Sequence, residues 1–223
     1  ATNQSLDFSE NFRVLSVLLG DKHVAESEFT VENEPETVEV GRNITEGEDK
    51  RFKNYRFTED GNSPRSVPGL SVVKSSSYEH DEYGVTIEDK ETAEKLYNKR
   101  SRKRETIKEE ARNFDMYKIH GKEDSDLVVV GWGSTKGAIT DATKEMDVKF
   151  LQIFYLEPFP EQVEEILEDA SKVILVENNS TGLLGKLIRE KTGYKIKEEN
   201  KILKYNARPF RSDELKQKIK ERV

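Results

Sequence analysis

The fold is decided by one stretch, Leu127-Val128-Val129-Val130-Gly131-Trp132-Gly133-Ser134-Thr135-Lys136-Gly137, in which an apolar run ends in a glycine-rich turn. Four consecutive aliphatic residues predict a strand that is buried on both faces, as in a parallel sheet. The glycines and the hydroxyl residues after them predict a direct turn into a helix, which continues through Met146. A strand that turns directly into a helix is the repeating unit of an α/β domain.

The same alternation of elements continues to the C-terminus. Further strands are predicted at 148–156, 173–176, 194–196 and 201–205, and further helices at 161–170, 181–191 and from Ser212, with Ser212 itself as the N-cap. We therefore expect residues 124–223 to form an α/β domain in which a mostly parallel sheet carries helices on both faces.

A second apolar run lies near the N-terminus, far from these strands. Residues 14–19 read Val-Leu-Ser-Val-Leu-Leu, are followed by Gly20-Asp21, and predict a buried strand. A lone strand needs a sheet to join, and the polar stretch that follows offers no partner. Two interpretations stay open: a processed N-terminus, or a chain that begins inside a domain whose earlier part is missing. A short polar segment that follows the run is predicted to be helical.

The middle of the chain, residues 32–123, is polar and rich in turn signals, and we expect an extended, irregular segment there. It ends in a charged stretch, 90–112, which predicts an exposed helix or one that lies across a neighbouring subunit. Because acidic residues flank its basic run at 99–104, we interpret that run as a solvated helix face rather than a nucleic-acid site.

Composition excludes several classes of protein. The net charge is −7, from 37 basic and 44 acidic residues, whereas a nucleic-acid binder is expected to be basic. Without cysteine, the chain can hold neither a disulfide nor a cysteine-ligated iron–sulfur cluster. His23, His80 and His120 are not at metal-ligand spacing. No apolar run is long enough to span a membrane and no signal peptide is visible, so we expect a cytoplasmic protein without membrane partners.

Two loops in the C-terminal half, 131–137 and 177–182, can each be interpreted either as a ligand site or as a structural turn. The glycines from Gly131 to Gly137 are one residue off the dinucleotide fingerprint, and Glu157 follows the next strand at the position of a ribose-binding carboxylate. A structural turn without a ligand is the other interpretation. The loop 177–182, Glu-Asn-Asn-Ser-Thr-Gly, also joins a strand to a helix, and we favour helix capping by Asn179, Ser180 or Thr181 there.

The middle segment supplies the candidate contact residues. Arg65 ends the stretch 55–65, Tyr-Arg-Phe-Thr-Glu-Asp-Gly-Asn-Ser-Pro-Arg, and an arginine in a turn can grip a carboxylate or phosphate. His80 and Glu82 belong to Glu79-His80-Asp81-Glu82, where a histidine among carboxylates can titrate near neutrality. An exposed arginine and an acidic surface turn are the alternatives. From these residues alone we can infer only an α/β domain whose loop ends favour the binding of anions.

Read in order, the motifs resemble the alpha subunit of 2-oxoacid:ferredoxin oxidoreductases. The resemblance rests on Leu19-Gly20-Asp21-Lys22-His23-Val24-Ala25-Glu26-Ser27, the stretch 55–65 with Pro68-Gly69, Ser77-Tyr78-Glu79-His80-Asp81-Glu82-Tyr83-Gly84, Lys99-Arg100, the glycine turn 131–137, Pro158-Phe159-Pro160, Val176-Glu177-Asn178-Asn179 with Thr181-Gly182, and Arg208-Pro209-Phe210. These motifs span nearly the whole chain, and their joint order is more specific than any one of them.

The resemblance implies an enzyme that oxidatively decarboxylates a 2-oxoacid on thiamine diphosphate, yields an acyl-CoA and passes electrons through iron–sulfur clusters to ferredoxin. It implies that residues 1–31 are the tail of a pyrimidine-type thiamine domain, 32–123 a linker segment with a charged helix, and 124–223 a transketolase C-terminal-like domain. Thiamine diphosphate with Mg and the [4Fe-4S] cluster are then held largely by other chains or domains, chiefly a beta subunit. Ferredoxin and coenzyme A are the other implied partners.

Under this resemblance the chain alone is expected to be inactive, with no catalytic, cofactor-binding or metal-binding residue of its own. It serves assembly and active-site framing, and Arg65, His80 and Glu82 are the candidate active-site or interface contacts. The sequence departs from the family at Leu183, where glutamine is frequent, and at Asn206-Ala207, in place of Asp-Gly. The alternative functions are a stand-alone interaction or scaffold subunit, and a dinucleotide-binding domain that uses the turn Gly131–Gly137.

Overall fold

The computed structural model describes residues 1–28, 30, 32, 40–45, 51–67 and 69–223. The chain forms two compact units. Unit 1 comprises Ala1–Leu19 and Val31–Ala111, and unit 2 comprises Gly20–Thr30 and Arg112–Val223. Of the sequence motifs, Pro68 lies outside the described residues.

Unit 2 is built on a five-stranded sheet in the order β1-β3-β2-β4-β5. The strands are β1 (Tyr117–Gly121), β2 (Leu127–Gly131), β3 (Lys149–Ile153), β4 (Lys172–Glu177) and β5 (Lys201–Leu203). Strands β2 to β5 are parallel, with Val129 opposite Phe150 on one side and Ile174 on the other, and β1 pairs antiparallel with β3. The predicted mostly parallel sheet is confirmed. Strand β1 was not predicted, because it is polar, lies at the sheet edge and carries no strong apolar signal.

Helices cover both faces of this sheet, as predicted. They are α4 (Thr135–Thr143), α5 (Gln162–Glu168), α6 (Leu183–Thr192) and α7 (Ser212–Lys220), with the short α2 (Lys22–Glu26) nearer the N-terminus. Val129 packs with α4 and α7 through Ile139 and Leu215, whereas Val128 and Val130 pack with helices on the other face. Side chains alternate along a strand, so the four apolar residues of β2 fill two cores at once.

Two local predictions in this unit are wrong. Residues 194–196 form no strand, because the chain turns there into a short 3-10 helix (Glu198–Asn200) before β5. Arg211, not Ser212, is the residue before α7, and no side chain caps that helix. Ala207, which stands where the family frequently has glycine, adopts a left-handed backbone with φ of 59°. An alanine in that region is strained, whereas a glycine is not.

The described residues of unit 1 form two helices, α1 (Thr2–Phe12) and α3 (Lys90–Ala111). Between them the described residues form loops and two isolated bridges, Ile44 with Arg65 and His80 with Thr86, so the expected irregular segment is confirmed there. A small apolar core comprises Phe8, Phe12, Phe52, Leu96 and Ala111. Because few apolar side chains are buried in unit 1, hydrogen bonds and ion pairs contribute much of the stability of its loops.

The apolar run 14–19 is not the buried strand that its composition predicts. It has no regular secondary structure, and Leu15, Val17 and Leu18 are 86%, 67% and 55% exposed. Unit 1 offers it no sheet among the described residues, and a strand without a sheet cannot bury two apolar faces. None of the described helices is long and apolar enough to cross a membrane.

Candidate functional site

The three candidate residues all lie in unit 1, around a loop that we call the motif loop, residues 54–65. Glu82 holds the start of this loop. Its Oε1 accepts from the Phe57 backbone N at 3.0 Å and its Oε2 from Lys53 Nζ at 2.9 Å, while its carbonyl accepts from the Tyr55 N at 2.9 Å. Burial opposes ionisation, but the bonds from Lys53 and Phe57 lower the pKa of Glu82 below its ordinary value. Glu82 therefore stays ionised and positions the loop rather than supplying a proton.

His80 lies against the same part of the loop. Its ring centroid is 3.8 Å from that of Tyr55, and its Nδ1 is 3.0 Å from the Asp81 carbonyl oxygen. The adjacent Glu79 binds both terminal nitrogens of Arg100 on α3, at 2.7 and 3.2 Å. His80 therefore contacts the motif loop through Tyr55, and its neighbour Glu79 binds α3 through Arg100.

Arg65 lies at the other end of the motif loop. Its Nη1 is 2.8 Å from Glu10 Oε2 and its Nη2 donates to the Glu10 carbonyl oxygen at 2.7 Å. Its Nε is buried and has no hydrogen-bond partner among the residues that the structure describes. The structure therefore brings His80 and Glu82 together through Tyr55, whereas Arg65 is bound to α1.

Two cations that the sequence analysis missed close the neck of the motif loop. Lys99 Nζ donates to the Tyr55 carbonyl oxygen at 3.0 Å and also to Ser63 Oγ. Arg13 Nη1 donates to the carbonyl oxygens of Asn54 and Pro64 at 2.7 and 3.3 Å. Each cation joins the beginning of the loop to its end.

Lys103 extends this group, because its Nζ donates to the carbonyl oxygens of Phe12 and Arg13 at 3.0 and 3.4 Å. The solvated-face interpretation of the basic run is wrong here, since Lys99 is only 6% exposed and Lys103 is half-buried. The available signal was helical spacing. Lys99 and Lys103 lie three and seven residues after the buried Leu96, on one face of α3.

Burial and mutual repulsion shift the pKa values of this group. Burial, followed by the charges of Lys103 and Arg13, lowers the pKa of Lys99 to about 8. The pKa values of Lys103 and Arg13 are also lowered, in both cases mainly by burial. No carboxylate lies within ion-pair distance of these three cations among the residues that the structure describes.

The shift of Lys99 predicts a pH dependence of stability. Its folded pKa of about 8 lies below the ordinary 10.5, so between these pH values only the unfolded chain keeps the proton. The free energy of unfolding of unit 1 should therefore rise with pH over that range, by about 1–2 kcal/mol. Hydrogen exchange of unit 1 peptides at several pH values measures it. In Lys99→Met the rise should become smaller, with Lys103 as the source of the remainder, and an unchanged rise would assign it to another group.

The glycine turn of unit 2 serves packing. A β-carbon on Gly131 would lie 2.6 Å from Ile139 Cδ1 and 2.9 Å from Thr135 Oγ1, so only glycine lets α4 approach β2 this closely. Ser134, at the start of α4, donates from its N (3.3 Å) and its Oγ to Asp21 Oδ2. Asp21 Oδ1 also caps α2 by accepting from Val24 N at 2.9 Å.

A carboxylate of the same chain thus takes the position at which a phosphate would meet the helix N-terminus. Burial opposes ionisation of Asp21, but its hydrogen bonds, chiefly from Ser134, lower its pKa below the ordinary value. Glu157, the predicted ribose contact, instead forms an ion pair with Lys191 at 2.6 Å. Both observations count against dinucleotide binding.

The loop 177–182 does not cap α6 through the residues favoured from the sequence. Asn179 Oδ1 accepts from the backbone N of Thr181 and Gly182 at 3.0 and 2.6 Å, and both of these residues precede the helix, whose N-cap is Gly182. The fully buried Glu177 binds the first turn of α6 instead, because both of its carboxylate oxygens lie 3.0 Å from Leu184 N. Among the described residues, no group of three or more histidine, aspartate or glutamate side chains is arranged to hold a metal ion.

Comparison with known proteins gives a consistent result. No family model matches the chain. It is 33% identical, over 97% of its length, to the 2-oxoacid:ferredoxin oxidoreductase subunit alpha of Saccharolobus solfataricus, of which it covers 36%. It is also 33% identical, over 97% of its length, to subunit alpha of 2-oxoacid:ferredoxin oxidoreductase 2 of Aeropyrum pernix, of which it covers 35%.

A solved structure shares the fold. The 2-oxoglutarate:ferredoxin oxidoreductase of Magnetococcus marinus, with 2-oxoglutarate, coenzyme A and succinyl-CoA bound, matches 82% of this chain and 32% of its own. The TM-score is 0.71 and the sequence identity is 25%. The chain spans about a third of the length of the curated relatives that it matches.

Proposed function

We propose, from the premise that this chain is homologous over nearly its whole length to the alpha subunit of 2-oxoacid:ferredoxin oxidoreductases, that it works as part of such an enzyme. The reaction is the oxidative decarboxylation of a 2-oxoacid to an acyl-CoA, with electrons passed to ferredoxin. The observation that carries the proposal is the 33% identity over 97% of the chain, supported by the shared fold at a TM-score of 0.71.

The proposed role of this chain is assembly and framing of the active site, not chemistry of its own. Iron–sulfur clusters in this family are bound by cysteine thiolates, and the chain has no cysteine. The [4Fe-4S] cluster is therefore assigned to other chains or domains of the complex. We place thiamine diphosphate with Mg there as well, as the family resemblance implies, with a beta subunit as the principal partner. Ferredoxin and coenzyme A are partners of the whole complex, in the cytoplasm.

The domain assignment is also a proposal. Residues 1–31 form the tail of a pyrimidine-type thiamine domain, 32–123 the linker segment and 124–223 the transketolase C-terminal-like domain. The exposed run 14–19 supports the first part. A stretch that is apolar on both faces has the composition of an interior strand of a parallel sheet, and such a sheet would remove its side chains from water.

Arg65, His80 and Glu82 are proposed as positioning contacts at the edge of the active site or of an interface. Glu82 and His80 fix the Tyr55 end of the motif loop, and Arg65 fixes the other end to α1. All three already have partners within the chain, which supports a framing role rather than proton transfer.

Isolation of the complex from its source tests the proposal. The chain is tagged, purified and analysed by visible spectroscopy and mass spectrometry, and assayed for reduction of ferredoxin that depends on a 2-oxoacid and coenzyme A. A brown complex with a cysteine-rich thiamine-binding subunit and this activity is expected. A colourless chain that purifies alone would contradict the proposal and favour the stand-alone scaffold.

A matched pair of substitutions tests the exposed run. Val17 and Val72 both belong to unit 1 and are 67% and 70% exposed. Val17→Asp should reduce co-purification of the partners by about tenfold or more, because an aspartate would have to be buried in a sheet. Val72→Asp should leave it unchanged. If the two variants recover equal amounts of the partners, residues 14–19 are not part of the assembly surface.

A further inference from the structure

Unit 1 holds a group of cations that has no counterion in ion-pair contact among its described residues. Within that part of the chain, Arg13, Lys99 and Lys103 bind backbone carbonyls and one serine hydroxyl. The carboxylates that act on them do so from a distance, and the side chain of one of these, Glu82, is already bound to Lys53 and Phe57. Buried or half-buried charges are ordinarily paired, because carbonyl dipoles replace only part of their hydration.

Arg13 has donors left for a ligand. Only its Nη1 is used, on the two ends of the motif loop, and its Nε and Nη2 make no hydrogen bond to a described residue. Arg13 is half-buried and not fully enclosed. A guanidinium with Nε and Nη2 open presents the planar edge that binds a carboxylate or phosphate through two parallel bonds.

The backbone of Arg13 adopts a conformation that is uncommon for arginine, which supports a specific role for its side chain. Arg13 ends α1 in the left-handed conformation, with φ of 50° and ψ of 54°, which costs free energy for any residue except glycine. Glycine is the ordinary residue at such a helix end. An arginine here instead delivers its guanidinium to the neck of the motif loop, where the other two cations lie.

Tyr55 forms an aromatic wall beside the group. Its ring centroid is 5.6 Å from Arg13 Cζ and 5.9 Å from Lys99 Nζ, and His80 stacks on the same ring. The tyrosine hydroxyl makes no hydrogen bond to a described residue and is a further donor. Three positive charges, an open guanidinium edge and a hydroxyl are the features of an anion site.

We propose that Arg13, Lys99 and Lys103, with Tyr55, form a binding site for an oxyanion, either a phosphate or a carboxylate. The bound group is held by the open edge of Arg13 and by the charges of the two lysines. It restores the charge balance of the neck and thereby fixes the motif loop. All residues of this site belong to this chain, so the site does not require the other subunits of an oxidoreductase complex. It can be tested on the chain alone and without turnover.

The test is an NMR titration of the chain with its lysine side chains labelled with carbon-13. The Lys99 signal is assigned by its loss in Lys99→Arg, and its titration midpoint is measured at constant ionic strength with chloride, inorganic phosphate or malonate. A bound anion stabilises the protonated ammonium, so the midpoint of Lys99 should rise from about 8. A rise with phosphate alone identifies the site as a phosphate site, and a rise with malonate alone as a carboxylate site.

Variants decide whether the named residues form the site. Arg13→Gln should weaken binding by about tenfold or more, whereas Arg13→Lys, which keeps the charge but loses the planar edge, should weaken it less. Lys103→Gln removes a second charge of the site while Arg13 keeps its open edge, and it should also weaken binding. Lys186→Gln, an exposed lysine of α6, is the matched control and should bind like the unchanged chain. An unchanged Lys99 midpoint with both anions, or equal binding by Arg13→Gln, Lys103→Gln and the control, would overturn the proposal.

Discussion

Replacement of Gly61 with alanine should destabilise unit 1 by about 2–4 kcal/mol. Gly61 has a φ of +76°, and a β-carbon there would lie 2.4 Å from both the Lys103 N and the Lys99 carbonyl oxygen. These are backbone atoms of α3, which cannot turn away as a side chain can. The left-handed strain costs about 1 kcal/mol and the overlap with the helix about 1–3 kcal/mol more.

Hydrogen exchange of α3 and motif-loop peptides reports this loss. Gly69→Ala is the control within the same unit, because Gly69 has a φ of +94° but nothing lies within 4 Å of the added β-carbon. It should cost only the backbone strain. If both variants exchange alike, the motif loop does not pack on α3 at Gly61 as described, and the site built there loses its support.

Replacement of Glu177 should cause a comparable loss in unit 2. Its carboxylate is fully buried and accepts from Leu184 N with both oxygens, and from Asn179 Nδ2 at 2.8 Å. Glu177→Ala leaves these donors buried without an acceptor and opens a cavity, so the expected loss is about 4 kcal/mol. Glu177→Gln keeps the shape but exchanges an acceptor oxygen for a donor, and about 2 kcal/mol is expected.

Urea unfolding followed by the fluorescence of Trp132 measures both variants. Trp132 is the only tryptophan of the chain and lies in unit 2, against the same core as α6. Glu190→Ala, an exposed position on α6, serves as the control and should change the free energy of unfolding by less than about 0.5 kcal/mol. A Glu177→Ala variant as stable as this control would show that α6 does not need the buried cap.

The α/β architecture could be predicted because its signal is local. Strands β2 and β4 are continuous apolar runs, and each is followed by a glycine or polar turn and a helix. Burial on both faces follows from such runs without knowledge of their partners. The polar edge strand β1 was not predictable in this way, since its pairing with β3 depends on a neighbour and not on its own pattern.

The motif loop shows where sequence reasoning ends. Arg65, His80 and Glu82 were found because their residue types and the resemblance drew attention to them. Arg13 was not, because its partners Asn54 and Pro64 lie 41 and 51 residues away in the chain. Lys99 looked like one of several lysines on a charged helix until Tyr55 and Ser63 were seen to enclose its ammonium group.

By itself, then, the sequence determined the alternation of strands and helices from β2 to β4, the burial of both faces of the sheet and the resemblance to a family, since all three depend on patterns along the chain. The tertiary structure decided which charges are buried and what meets each helix end. Asp21 reaches the start of α4 from 113 residues away, and Lys103 reaches Phe12 from 91. The physical reason is that hydration of a charged group is lost only when distant segments close around it, and local sequence does not say which segments those are.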